Sequence, residues 1–274
     1  MDYRSYELKF SELDPWRDIA ISEMADYGFE SFSETKLGVL GYIQVEHDSE
    51  EVLSKVKGLE GVDSVEVKDI LTENWNQKWE DNFDPVYVDD KLAIIAPFHD
   101  DVRSCEMTIT IQPQMSFGTG HHQTTWLISR RLFDLDIEGK DVLDMGTGTG
   151  VLAILAEKLG GKNIFAPDID EWSYKNALEN VQRNECSEIE VAHGGHELIG
   201  NKTFDIVIAN INKNILIENF SVYSSAVRPQ GTLILSGFFK TDKAELEACA
   251  NKYGFVFEVE HSKDEWSMLE FKRN

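Results

Sequence analysis

Basic residues are scarce in this chain: 26 Lys and Arg stand against 50 Asp and Glu across 274 residues, a formal net charge of −24. A surface of that sign repels phosphate backbones, which argues against direct binding to bare DNA or RNA and favours a basic partner. Cysteine is nearly absent. Cys105, Cys186 and Cys249 stand far apart with no Cys-x-x-Cys, so a disulfide framework is excluded and reduced thiols in a cytoplasmic protein are expected. No apolar run reaches the roughly 18 residues that a membrane helix needs, so no membrane partner is expected. The opening MDYRSYELKF alternates polar and apolar without the features of a secretory leader. Internal repeats and low-complexity segments are lacking too. The His121-His122 pair and His193-x-x-His196 supply too few ligands for a metal site, and none is expected.

What is present is ordinary globular material. Hydrophobic residues make up 42% and charged residues 28%, and the length suits one large domain or two modest ones. The acidic excess is denser at the front, where residues 1–74 hold 7 Lys/Arg against 18 Asp/Glu. Residues 3–10 alternate as a strand. DPWRDIAISEMADYG follows with helical spacing of Ile19, Met24 and Tyr27, and Asp14–Pro15 reads as an N-cap and first-turn pair. Strand-like stretches at 29–34, 37–46 and 62–70, with a short helix near 50–57, complete a β-α-β-β-α-β unit of ferredoxin-like type. We assign this domain to residues 1–72. A connection over 73–95 follows, in which Trp75, Trp79 and Phe83 lie four apart on one helix face and Pro85 ends the helix.

Residues 96–274 form the second domain. The apolar runs DVLDM, NIFAPD, EIEVAH, FDIVIAN and GTLILS alternate with helical segments at 150–160, 171–184, 213–227 and 240–252. That alternation predicts a parallel sheet covered by helices on both faces. The closing runs FVFEVEH and EWSMLEFK leave little room for a crossover and predict an antiparallel hairpin at the sheet edge.

The first apolar run leads into Asp144-Met145-Gly146-Thr147-Gly148-Thr149-Gly150. Glycines at every second position after a strand let the backbone turn tightly and approach a ligand, and ligands of open α/β sheets sit beyond the carboxyl ends of strands. The dinucleotide fingerprint G-x-G-x-x-G fails here, because its sixth position is Val151. Asp144 is unhelpful to a pyrophosphate and suited to an ammonium group. Asp168 ends the second strand, where a carboxylate can accept hydrogen bonds from ribose hydroxyls. Dehydrogenases place an acid there too, so these residues alone leave a nucleotide oxidoreductase open. Asp170 is placed to cap the next helix. Asn210 ends the fourth strand, where its carbonyl can accept from an amine.

The string D-x-G-x-G-x-G resembles the motif of class I S-adenosylmethionine-dependent methyltransferases. QMSFGTGHHQTT at 114–125 and FDIVIANINKNIL at 204–216 extend the likeness. Together they resemble the ribosomal protein L-eleven methyltransferase family, which carries F-G-T-G-T-H-P-T-T, then the glycine motif, then D-I-D, then A-N-I-L. The resemblance covers the chain from about residue 75 and implies a Rossmann-like sheet bound to S-adenosyl-L-methionine. It carries cofactor contacts to Thr125, Gly146, Asp168 and Asn210; Asp144, Gly148 and Gly150 of the same loop are read as cofactor contacts as well, and the Asn210 carbonyl as the holder of a neutral acceptor amine. It further implies that the acidic ferredoxin-like domain recognises a basic ribosomal protein of the large subunit, whose lysines and terminal amine are the targets. His121, Gln123 and Asn212 stand where the family often has Thr, Pro and Leu. FGTG reads as a loop able to fold over a bound cofactor. A monomer is expected. Two rivals share these features: a class I methyltransferase with another protein or a small amine as substrate, and a non-enzymatic acidic protein-binding module.

Overall fold

The computed structural model describes residues 3–70, 80, 83–114 and 116–274. It divides into two compact units, 1–82 and 83–274. The aromatic helix expected from Trp75 and Trp79 lies outside the described residues.

In the first unit, strand β1 (Tyr3–Phe10) leads to helix α1 (Trp16–Asp26), the hairpin β2 (Ser31–Thr35) and β3 (Gly38–Gln44), helix α2 (Glu50–Lys57) and β4 (Val62–Ile70). The sheet order is β2-β3-β1-β4, and every neighbouring pair is antiparallel. Alternation along β1 drives Tyr6, Leu8 and Phe10 to one face, where they pack with Met24 of α1, Val39 and Ile43 of β3, and Val56 of α2. Ser49 caps α2 by accepting from the Val52 N–H at 3.2 Å. The expected cap of α1 is corrected. Asp14 does not serve it; the N-cap position falls on Pro15, with no side-chain hydrogen bond.

The second unit opens with a small sheet of β5 (Val86–Val88), β6 (Leu92–Ile95) and β7 (Met107–Thr110), which the sequence patterns did not suggest. Helix α3 (Gln123–Leu132) then leads into the main sheet. Its parallel strands are β8 (Asp141–Met145), β9 (Lys162–Asp168), β10 (Ile189–His193), β11 (Phe204–Asn210) and β12 (Val227–Phe239). Helices α4 (Val151–Lys158), α5 (Glu171–Arg183), α6 (Lys213–Glu218), α7 (Phe220–Ala226) and α8 (Lys243–Lys252) connect them and lead on to β13 (Phe255–Lys263) and β14 (Trp266–Arg273). The order is β10-β9-β8-β11-β12-β14-β13, with β14 antiparallel to both neighbours. The terminal hairpin is therefore present, with β13 at the edge. The helix expected over 213–227 is two, α6 and α7, meeting at Asn219.

Both sheet faces are buried, which is why the central strands read as unbroken apolar runs. Along β11, Ile206 and Ile208 join a core with Leu127, Ile128, Ile154 and Leu155. Val207 and Ala209 join the opposite core with Leu216, Phe220, Leu246 and Phe271. Glu270 of β14 is 3% exposed and receives Arg131 of α3 through two bonds, at 2.6 and 3.1 Å, the bidentate geometry that a buried charge requires.

Helix α5 also serves as a surrogate strand. Asn176, Asn180 and Asn184, four apart, face residues 110–112. Asn184 accepts from the Thr110 N–H at 2.9 Å and donates to its carbonyl at 2.7 Å. Asn180 accepts from the Gln112 N–H at 2.8 Å, and Asn176 donates to the Gln112 carbonyl at 3.2 Å. Asn180 also donates to the Thr149 carbonyl at 3.0 Å, so the same helix fixes the glycine loop.

Candidate active site

From β8 the chain winds outward through β9 and β10, and from β11 it winds the other way. That reversal opens a crevice at the carboxyl ends of β8 and β11, the place where ligands of such sheets sit. A cavity of about 510 Å³ fills it. Gly146, Gly148, Asp168 and Asn210 are in its wall, so four of the site residues expected from sequence come together there. Thr125, Asp144 and Gly150 stand behind the wall rather than in it.

All three motif glycines have positive φ, of 73°, 59° and 84° for Gly146, Gly148 and Gly150. Gly148 shows why. A Cβ there would lie 2.2 Å from the Phe117 carbonyl oxygen, well inside contact distance. The close approach lets Thr149 donate from its N–H to the Phe117 carbonyl at 3.0 Å and from its hydroxyl to the Gly118 carbonyl at 2.6 Å. The FGTG segment is thus tied directly to the glycine loop at residues 117 and 118.

Asp168 is 8% exposed. Its Oδ2 accepts from the Gly148 N–H at 2.8 Å and its Oδ1 from the Asp170 N–H at 3.0 Å. Two backbone donors fix the carboxylate, and an ionised carboxylate has about four acceptor sites, so capacity for two hydroxyls remains. Asp170 caps α5 by accepting from the Ser173 N–H at 2.8 Å. Asp144, expected to meet an ammonium, turns inward. It is 1% exposed and accepts from the Thr147 hydroxyl at 2.7 Å and the Ala153 N–H at 3.2 Å. Burial pushes its carboxyl up to about 6, against the opposing pull of the Thr147 hydrogen bond.

Thr125 is fully buried on α3, and its hydroxyl receives the Asn210 Nδ2 at 3.4 Å. That contact orients the Asn210 amide. The Asn210 Oδ1 is buried and has no hydrogen-bond partner among the described residues. A buried acceptor left unpaired costs roughly 1–3 kcal/mol, and this one belongs to a residue in the cavity wall, where a ligand can supply the donor.

Sequence reasoning missed several lining residues. His122, read as part of a polar loop pair, caps α3 by accepting from the Thr124 N–H at 3.3 Å. Its ring meets Trp266 edge-on at 4.4 Å, and burial pushes its pKa down. Trp266 enters because β14 runs antiparallel, which brings its first residue to the carboxyl edge of the sheet. Gly237 sits at an irregularity in β12 where a Cβ would lie 2.2 Å from the Ile211 carbonyl oxygen. The glycine in LILSGFF was the available signal for that close approach. His121 instead bonds the Asp84 carbonyl at 2.8 Å, and His193 the Ile169 carbonyl at 3.2 Å. Burial raises the Cys186 thiol to about 11, which disfavours its thiolate near neutrality.

The family model described as ribosomal protein L11 methyltransferase (PrmA) matches residues 12–274. A ribosomal protein L11 methyltransferase of Porphyromonas gingivalis is 40% identical over 262 residues, covering 93% of this chain and 90% of that one. One from Bacteroides fragilis is 40% identical over 260 residues, covering 93% of each. The crystal structure of a ribosomal protein L11 methylase from Lactobacillus delbrueckii subsp. bulgaricus superposes with a TM-score of 0.64 at 27% identity, covering 70% of this chain and 99% of that one. A crevice with a fixed acid and a glycine-lined wall fits a ligand that brings hydroxyls close to the backbone. On these grounds the chain belongs to the ribosomal protein L11 methyltransferase (PrmA) family, and it is a methyltransferase whose cofactor is S-adenosyl-L-methionine.

Proposed function

We propose that this protein methylates amino groups of ribosomal protein L11, both lysine side chains and the N-terminal amine. The observation that carries the reading is the unpaired Asn210 carbonyl in the cavity wall. It is an acceptor suited to a neutral amine, and Thr125 holds its amide in place.

In this reading Asp168 accepts from the ribose hydroxyls, and Gly146 and Gly148 let the backbone lie against the cofactor. Asp144 and Gly150 act at one remove: Asp144 ties the loop to the start of α4, and Gly150 makes the turn into that helix. When bound, the sulfonium supplies a methyl group already activated for displacement. The residues must then align the amine and exclude water. Asn210 Oδ1 accepts one amine N–H and leaves the nitrogen lone pair free for in-line attack. Deprotonating an ordinary lysine at pH 7 costs about 4.6 kcal/mol, and a chain-terminal amine about 1 kcal/mol. The apolar wall of Ile211, Ile215 and Trp266 disfavours the charged amine and lowers that cost.

The β-α-β-β-α-β order and antiparallel pairing of the first unit support reading residues 1–72 as a ferredoxin-like recognition domain. Its acidic excess suits a basic ribosomal protein. The connection expected at 73–95 is shortened, because β5 and β6 pack with the second unit, so the methyltransferase domain of this reading begins near residue 83 rather than 96. The reading also places the protein in the cytoplasm; among the described residues no helix is long and apolar enough to cross a membrane. The test is incubation with labelled methyl donor and total large-subunit ribosomal proteins, followed by mass spectrometry. Label on lysines and the terminal amine of L11 is expected. Label confined to another protein, or to small amines, would overturn the assignment.

A further inference from the structure

We infer that His121 is a positioning residue for cofactor binding. It latches the FGTG loop to the chain at Asp84, and so couples the cofactor cavity to the segment that opens the second unit. The inference uses the cofactor site alone and goes beyond the proposed substrate.

The loop is fastened at both ends. At its start, Thr149 donates from its N–H to the Phe117 carbonyl at 3.0 Å and from its hydroxyl to the Gly118 carbonyl at 2.6 Å. Phe117 and Gly148 both line the cavity, so a ligand filling it lies against this end. At the far end, His121 Nε2 donates to the Asp84 carbonyl at 2.8 Å. Its Nδ1 lies 3.2 Å from the Thr119 hydroxyl, which can donate to it, so one neutral tautomer satisfies both contacts. The His121 and Phe83 rings meet at 4.4 Å. His99 holds the same stretch of chain: its Nδ1 accepts from the Ala96 N–H at 3.0 Å, which leaves Nε2 to donate to the Phe83 carbonyl. Asp84 is the second residue of the second unit.

Between its two fastenings the loop is built to move. Gly118 and Gly120 have positive φ of 104° and 96°, conformations open to glycine at little cost. At Gly120 a Cβ would lie 2.8 Å from the Ile94 Cδ1, so the loop rests closely on β6. Glycine gives this segment its freedom, and the bonds at residues 117, 118 and 121 remove it. A loop that His121 already holds loses less freedom when the cofactor arrives, and affinity rises accordingly. His121 and Asp84 are both exposed, so a substitution at His121 removes the latch without opening a core. A bond that served stability alone would leave the two ends independent. A latch requires reciprocity: the factor by which it tightens cofactor binding is the factor by which bound cofactor tightens the latch.

The test compares the full-length protein with His121→Leu and with His121→Gln, which keeps a donor at the Nε2 position. Calorimetry with S-adenosylhomocysteine should show affinity about three- to tenfold weaker in the Leu variant, the worth of one hydrogen bond, and within about twofold of the native protein in the Gln variant. Saturating S-adenosylhomocysteine should slow hydrogen exchange across residues 83–87 by a similar factor in the native protein and the Gln variant, and not in the Leu variant. The amides of β13 serve as the reference, and circular dichroism reports the fold. Unchanged affinity in the Leu variant, no slowing in the native protein, slowing that survives in the Leu variant, or a Gln variant that behaves as the Leu variant does would each overturn the latch. No acceptor takes part, so a substrate other than ribosomal protein L11 would overturn the proposed function and leave this result standing.

Discussion

Asp144 and Asp168 end neighbouring strands, yet their surroundings give them different work. Asp144 lies beneath the glycine loop with its carboxyl raised to about 6 by burial. Because the folded value lies above the unfolded one, the stability that this group contributes is full below pH 4 and is lost as the pH rises through 6. The deficit at pH 8 is about 3 kcal/mol. Asp144→Asn should therefore gain stability relative to the native protein between pH 4 and pH 8, read by urea denaturation across that range. A difference independent of pH would remove the burial account. Asp168 faces the cavity with both oxygens fixed by backbone donors. Asp168→Asn should weaken S-adenosylmethionine binding by about 10- to 100-fold, the worth of one or two charge-assisted hydrogen bonds, as measured by calorimetry. Asn210→Ala should leave cofactor affinity within about threefold and lower kcat by about 100-fold, if its carbonyl holds the amine for attack; an unchanged kcat would remove it from the mechanism.

Between the elements, the contact of the glycine loop with the FGTG segment carries the site. Gly148→Ala places a methyl against the Phe117 carbonyl at a φ of 59°. The two loops must then separate, with an expected loss of about 2 kcal/mol or more in thermal denaturation and a parallel loss of cofactor affinity. Unchanged stability and affinity would mean that the loops need not touch. The strand and helix that flank the glycine loop were legible in the sequence. Buried parallel strands read as apolar runs, and the helices expected at 150–160, 171–184 and 240–252 lie within a few residues of α4, α5 and α8, whereas α3 was not expected. The glycine motif also marked its own strand-to-helix turn. The β5–β7 sheet was hidden because its strands are three or four residues long, too short for alternation to register. Trp266 and His122 were hidden for another reason: their presence at the cavity follows from strand order and from a cap, which no local pattern encodes. Asp144 was visible as a motif acid, but spacing could not tell that its side chain points into the loop.

For the whole molecule the net charge of −24 governs encounters. If the substrate is a basic ribosomal protein, raising salt from 50 to 300 mM should raise KM for it several-fold, while affinity for S-adenosylmethionine changes by less than about twofold. Steady-state assays beside calorimetry separate the two, and a salt-independent KM would count against electrostatic capture. The same long-range repulsion acts between copies of the protein, but it falls off at high salt, where local defences must suffice. Here the asparagine face of α5 matters again. By occupying the outer amides of residues 110–112, it leaves that stretch of backbone no vacancy for a strand from another molecule. Association through this one edge of the β5–β7 sheet is therefore not expected to grow in concentrated, salted solutions.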